Sequence, residues 1–260
     1  MLWVFAALAL VAGVLLFPLA EHTETSFSWT IQPPLTAAFL GASYWAALIL
    51  IGWSAARGSW AAARAALAPV FVIAVLLLVA TLIHLDRFDM DSLAGPFWLV
   101  VYCVVPLLLV LVAWRQPREG VWSGPALPPA LRALLAVQGV AMLGVGAALF
   151  AAPGTRDDLW AWMLTPLTAR AVGAFAVGFG VAALLAGIEA DRERYRGAAL
   201  AYLALGLLEL LALAVFGDDL GDSDTRTALY SAFLVTVVLV GAWGVWATRP
   251  SAARAASGSS

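Results

Sequence analysis

The sequence predicts an all-α, polytopic membrane helix bundle of eight transmembrane helices, built as two parallel four-helix repeats. Three observations carry this expectation. Of the 260 residues, 63% are hydrophobic and 12% are charged, whereas soluble domains carry about 25% charged residues. The apolar residues fall in runs of roughly 20, the length that crosses the hydrocarbon layer of a bilayer, with short polar links between them. A motif also occurs twice. Residues 28–42 read SWTIQPPLTAAFLGA and residues 160–174 read WAWMLTPLTARAVGA. In each, tryptophan leads to Pro-Leu-Thr-Ala and then to a small-residue helix with glycine at the same offset, Gly41 and Gly173.

Taken in order, the first helix is expected over 2–20. Its ending, Pro18-Leu19-Ala20, imitates a signal-peptide cleavage site, but no Arg or Lys precedes the apolar run. The polar segment EHTETSFSW follows. The second helix is expected over 34–54, with Pro34 in the first turn, where its missing N–H costs nothing. Arg57 and Arg64 mark the next link. The third helix is expected over 65–85 and ends in the acidic loop Asp86, Asp89, Asp91. The fourth is expected over 96–114, with Pro106 inside it as a kink site. The Pro- and Gly-bearing stretch 115–129 reads as a linker between halves.

The second half repeats the order. Its first helix is expected over 130–152, carrying Gln138, Gly139, Gly144 and Gly146. A loop with Arg156, Asp157, Asp158, Trp160 and Trp162 follows. The next helix, over 166–188, is rich in small residues, which suits close helix packing. The charged link EADRERYR precedes a helix over 197–216 containing Glu209. An acidic loop (Asp218, Asp219, Asp222, Asp224) leads to the last helix, over 227–248. The tail 249–260 reads as disordered. The domain plan is therefore 1–114, a linker at 115–129, 130–248, and the tail.

The correspondence between halves extends past the motif. Pro34-Leu35-Thr36-Ala37 maps onto Pro166-Leu167-Thr168-Ala169 at an offset of 132, and the same offset carries Asp86 onto Asp218. Four spans per half is an even number, so both halves enter from one side, as in parallel repeats related by an axis along the membrane normal. With the N-terminus cytoplasmic, Arg57, Arg64, Arg115, Arg118, Arg132, Arg192, Arg194, Arg196, Arg249 and Arg254 lie inside. Arg87, Arg156, Arg170 and Arg226 lie outside. This excess inside is the positive-inside pattern. It predicts both termini in the cytoplasm and residence in the cell (inner) membrane.

The tryptophan-rich approach to Pro-Leu-Thr-Ala, clearest over 160–173 with its echo at 28–41, resembles a motif of uncharacterised bacterial multi-pass membrane proteins. The resemblance implies no activity.

The composition excludes several chemistries. All 14 basic residues are Arg, and without Lys there is no Schiff base. A single cysteine, Cys103, allows neither an internal disulfide nor a cysteine metal cluster. No clustered basic face suggests nucleic acid. No nucleophile-elbow, phosphate-loop, dinucleotide or zincin motif is present, so no enzyme activity and no cofactor are expected. The expected partner is the lipid bilayer, with a homo-oligomer or a partner subunit left open.

Candidate residues remain. Glu209 is the one clearly intramembrane carboxylate and Arg170 the one Arg just inside a span. Counting 1.5 Å per residue puts both within about 10 Å of the outer side, so a pair between them is within reach. Intramembrane ionisable groups mark functional sites and face bundle interiors. The bland alternative is a structural ion pair. Trp29 and Trp162 with Thr36 and Thr168 either line an outward-facing site or, with Trp160, serve as interfacial anchors and local caps. His22, His84 and Asp86, with Glu24, are weak metal or haem candidates without ligand spacing. The function expected is small-molecule or ion binding or transport through an outward-facing cavity between the two repeats. A structural or accessory membrane subunit is the alternative, and an intramembrane redox protein or enzyme the weaker one.

Overall fold

The computed structural model describes residues 2–57, 60–115, 125–154 and 159–249. Most of the linker, with Arg118, lies outside the described residues, as do Arg156, Asp157, Asp158 and the tail with Arg254. Side chains at 60–65, Arg64 included, lie outside them too.

The described chain is helical, its one β contact being an isolated bridge between Ala126 and Asp191. Its helices are α1 (Leu2–Leu16), α2 (Thr23–Ser26), α3 (Pro34–Arg57), α4 (Trp60–Ile83), α5 (Ala94–Arg115), α6 (Pro129–Ala151), α7 (Pro166–Glu189), α8 (Arg192–Val215) and α9 (Asp224–Ala247). Seven of them, α3 to α9, are long and apolar enough to cross a membrane. Large apolar side chains on their outer faces, such as Leu107, Val137 and Leu239, stand more than half exposed. Soluble proteins do not leave so much apolar surface bare, so this surface faces lipid.

Helix ends follow local chemistry. Pro34, Pro129 and Pro166 open helices, where no N–H is needed. Thr165 caps α7 by accepting from the Thr168 N–H, and Ser223 caps α9 through the Arg226 N–H. Two expectations need correction. The first helix stops at Leu16 rather than at residue 20, because Pro18 disfavours helical backbone before it. The 15-residue helix then turns by 83° into the Ala20–Ser26 segment. The charged link EADRERYR is mostly helix, since α8 begins at Arg192. Hydropathy marks the apolar stretch, whereas the helix runs on into the polar margin.

The layout has inner and outer helices. Two-thirds of α3 and 56% of α7 are buried, against 28% of α5 and of α9. Helix α1 packs on α3 and α6 on α7, while α5 lies on α4 and α9 on α8. The halves meet where α3 packs on α8 and α4 on α7. At two positions this packing requires glycine. A Cβ on Gly41 would lie 2.6 Å from the backbone nitrogen of Phe17, and one on Gly173 would lie 3.0 Å from that of Phe150 and 2.7 Å from the carbonyl oxygen of Gly146.

Several elements recur at a fixed spacing along the chain. Helices α3 and α7 are each 24 residues long and start 132 residues apart; so are and do α4 and α8. The 3-10 turns Leu85–Arg87 and Gly217–Asp219 also lie 132 apart. In one half the Asp89 N–H donates to the Ser28 carbonyl at 3.1 Å, and in the other the Gly221 N–H donates to the Ala161 carbonyl at 3.0 Å. These contacts gather the tryptophan-bearing loops at one end of the bundle. The turns at 125–128 and 189–192 and the end of α9 gather at the other, where Leu127 N–H donates to Ala190 and Arg196 to the Thr248 carbonyl.

Candidate functional site

Each half has a partly open cavity bordered by its own helices. The first, of about 290 Å³, lies among α1, α3, α4 and α5 and is closed by Phe175 of the other half. Its polar lining includes Tyr44 and Tyr102, whose hydroxyls hydrogen-bond each other. The second, of about 340 Å³, lies among α6, α7, α8 and α9 and is closed by Phe39 of the first half. Corresponding positions line the two: Ile73 and Leu205, Tyr102 and Tyr230, Ser28 and Ala161. These two cavities sit inside the halves; a third, of about 50 Å³, lies where the halves meet and is lined from α3, α4, α6, α7 and α8.

The second cavity differs in its chemistry. Glu209, on α8, is 1% exposed and lines it. Its Oε2 accepts from the Tyr230 hydroxyl at 3.3 Å, while Oε1 has no partner. Trp160 lines the same cavity, is buried, and its Nε1–H is also unpartnered. A buried donor or acceptor left unpaired costs roughly 1–3 kcal/mol. Here the residues that bear an orphan acceptor and an orphan donor line one apolar cavity. Arg226 and Tyr230 complete its polar lining. Phe39, Trp162 and Tyr230 pack their rings about Trp160 at centroid distances of 5.1–5.5 Å, fixing its orientation.

The expected Arg170–Glu209 pair does not form. Arg170 instead engages His84, its Nη1 2.6 Å from His84 Nε2. Depth below a helix end says nothing about which way a side chain points around the helix, and Arg170 points to α4 rather than α8. Burial, then the Arg170 charge, hold the His84 imidazole below its ordinary value, with Asp86 opposing. The neutral ring accepts the Arg170 hydrogen bond. This fixes a pH dependence. The unfolded chain takes up its proton near the ordinary value of 6.5, before the folded chain does. The stabilisation is therefore complete above that pH and is lost as pH falls below it. Melting temperatures of wild type and His84→Gln, followed from neutral to acid pH, should converge as the pH drops.

The other sequence candidates have structural surroundings. Trp29, Trp160 and Trp162 are buried rather than interfacial anchors. Trp29 packs against Phe27, Phe88 and Trp98. Trp162 donates from Nε1 to Thr36 Oγ1 at 2.8 Å and so ties the second half's loop to the first half's α3. Thr168 bonds locally to Thr165. His22 is exposed, and Asp86 pairs with Arg87 at 3.2 Å in solvent. Among the described residues no three His, Cys, Asp or Glu side chains converge as a metal site would require. Sequence reasoning passed over Trp160 as a ligand group and missed Tyr230 beside Glu209.

Comparison with known proteins adds no assignment: no family model, no curated protein and no solved structure matches the chain.

Proposed function

We propose that this chain binds a small, largely apolar molecule in the cavity of its second half, as a membrane binding or transport protein. The observation that carries the reading is the pair of unpartnered buried atoms, Glu209 Oε1 and Trp160 Nε1, on one chamber of about 340 Å³. Ligand cavities combine apolar walls with a few placed polar groups in volumes of roughly 300–1,000 Å³. A polar group on such a ligand, a hydroxyl for instance, has an acceptor in Glu209 and a donor in Trp160 to pair with.

The scaffold behind this reading is a duplicated four-helix unit. Support comes from the offset of 132 shared by α3/α7 and α4/α8, the equal lengths of those helices, the matched loop hydrogen bonds and the corresponding cavities. With the bent Leu2–Ser26 segment as one span, the chain crosses eight times. The Arg distribution then puts both termini in the cytoplasm, the tryptophan loops outside and the protein in the inner membrane. The polar anchor belongs to the second cavity alone, since Leu77 occupies the position of Glu209 in the first half.

Native mass spectrometry in mild detergent tests the reading, with a panel of small apolar alcohols and amides as probes. A bound mass in wild type that is lost in both Glu209→Gln and Trp160→Phe, at unchanged melting temperature, is the expected result. A clean apo mass throughout would overturn it in favour of a structural membrane subunit.

A further inference from the structure

The first half's cavity is chemically unlike the second's. Every polar side chain that lines it already has a hydrogen-bond partner within the protein. The Tyr44 and Tyr102 hydroxyls bond each other. Ser26 donates to the His22 carbonyl at 2.8 Å and Ser28 to the Ala94 carbonyl at 3.0 Å. Trp98 donates from Nε1 to Thr81 Oγ1 at 3.0 Å. The rest of the lining is apolar. A water needs two to four polar partners, which such walls do not offer. An apolar occupant strands no polar group and gains dispersion contact with the walls.

The cavity is long and open on one side. Phe5 and Leu15, at its two ends on α1, stand about 15 Å apart along the helix axis. That is half of the ~30 Å hydrocarbon layer, the depth of one leaflet. One end meets a buried apolar cluster of Phe5, Ile51 and Leu109. The other reaches Ser26, Ser28 and Ala94, next to the tryptophan-bearing loop. Helices α3 and α4 form the back, and α1 and α5 form the sides. Helix α1 packs on α3 and α5 on α4, but α1 and α5 share no comparable interface. In the second half the equivalent helices α6 and α9 do meet, and Gln138 donates to Thr236 across them at 2.8 Å. On α1 no side chain except Trp3 can form such a tie. The cavity therefore opens between α1 and α5. Its lips are Leu8, Ala12 and Leu15 facing Val101 and Val105, all half-buried, with Val11 and Phe97 more than half exposed beside them.

We propose that this slot holds one acyl chain of a phospholipid from the leaflet at the tryptophan-loop end. The methyl end of the chain lies at Phe5 and the headgroup beside Ser26, Ser28 and Ala94. A helix from a partner protein does not fit. A 15 Å length of helix, about 10–12 Å across with its side chains, has several times the volume of about 290 Å³ available. The headgroup is zwitterionic, with an amine. Segments 21–28 and 84–94 at this end carry Glu21, Glu24, Asp86, Asp89 and Asp91 against a single Arg, Arg87. This excess of carboxylates attracts an ammonium group and repels a net-anionic headgroup. The proposal concerns the first cavity and does not need the ligand of the second.

Native mass spectrometry of delipidated protein, titrated with phosphatidylethanolamine or with phosphatidylglycerol, tests it. Wild type should retain one phosphatidylethanolamine, about ten-fold more tightly than phosphatidylglycerol. Ala12→Phe and Val101→Phe, which plug the slot from opposite lips, should each weaken that retention by about ten-fold without lowering the melting temperature. Leu10→Phe, on an exposed face of α1 outside the slot, should not. A phosphatidylethanolamine with a photoreactive diazirine on its acyl chain should label α1 and α5 in wild-type protein in phosphatidylethanolamine vesicles, and this labelling should fall in both plugged variants. Retention unchanged in both plugged variants, label spread evenly over all helices, or phosphatidylglycerol held as tightly would overturn the proposal. Glu209→Gln should keep the lipid while losing the small alcohols of the second cavity, so the failure of either reading shows separately.

Discussion

Leu77→Glu should leave little folded protein, whereas its mirror, Glu209→Leu, should make the protein more stable than wild type. The two positions correspond 132 residues apart on α4 and α8, and both are buried, at 3% and 1% exposure. Leu77 lies in the main apolar cluster among Leu40, Trp98 and Phe175. A carboxyl placed there would have no ready partner, because Tyr102, the counterpart of Tyr230, is already bonded to Tyr44. The expected cost is about 4 kcal/mol or more, the range of an uncompensated buried polar group. Glu209 already bears part of such a cost, with one oxygen unpaired. Replacing it with the residue the other half uses should recover about 1–3 kcal/mol, the exchange of stability for function typical of sites. Thermal unfolding in detergent, followed by circular dichroism, gives both signs in one experiment. A destabilised Glu209→Leu would mean that the carboxylate holds the fold together, against its reading as a site.

Gly173→Ala should destabilise by about 3 kcal/mol, the upper range for overpacking, although it adds one methyl group. That methyl would sit 2.7 Å from the Gly146 oxygen and 3.0 Å from the Phe150 nitrogen. Both are backbone atoms, which cannot swing aside as a side chain would, so α6 and α7 must separate. Gly144→Ala, on the same α6, is the control. Nothing lies within 4 Å of its added Cβ, and alanine favours helix over glycine by about 1 kcal/mol. It should therefore be neutral or slightly stabilising. Equal losses from the two substitutions would show that helix propensity, not close approach, decides the outcome at both.

These residues also show what could be read from the sequence. Pro-Leu-Thr-Ala marked the start of α3 and α7 because proline is best tolerated in the first turn. The repeat offset anticipated that α4 and α8 would match in length. Gly41 and Gly173 were visible as equivalent, and both prove to be close-approach points. The direction of Arg170 was not legible, because helix depth constrains one coordinate and the pairing depends on rotation about the axis. The burial of Trp29, Trp160 and Trp162 was hidden because tryptophan near a span end fits an interfacial anchor equally well.

The carboxylate of Asp219 accepts the Leu35 N–H at 2.9 Å, so the opening turn of α3, with its unpaired donors, is satisfied by a residue 184 positions later. A ribosome working from the N-terminus makes Leu35 long before Asp219 exists. Trp162, which reaches back to Thr36, is made late as well. During synthesis α3 must therefore wait in the bilayer with its start unfinished, and no early quarter of the chain can mature alone. A nascent chain released before residue 219 lacks the acceptor for the Leu35 N–H.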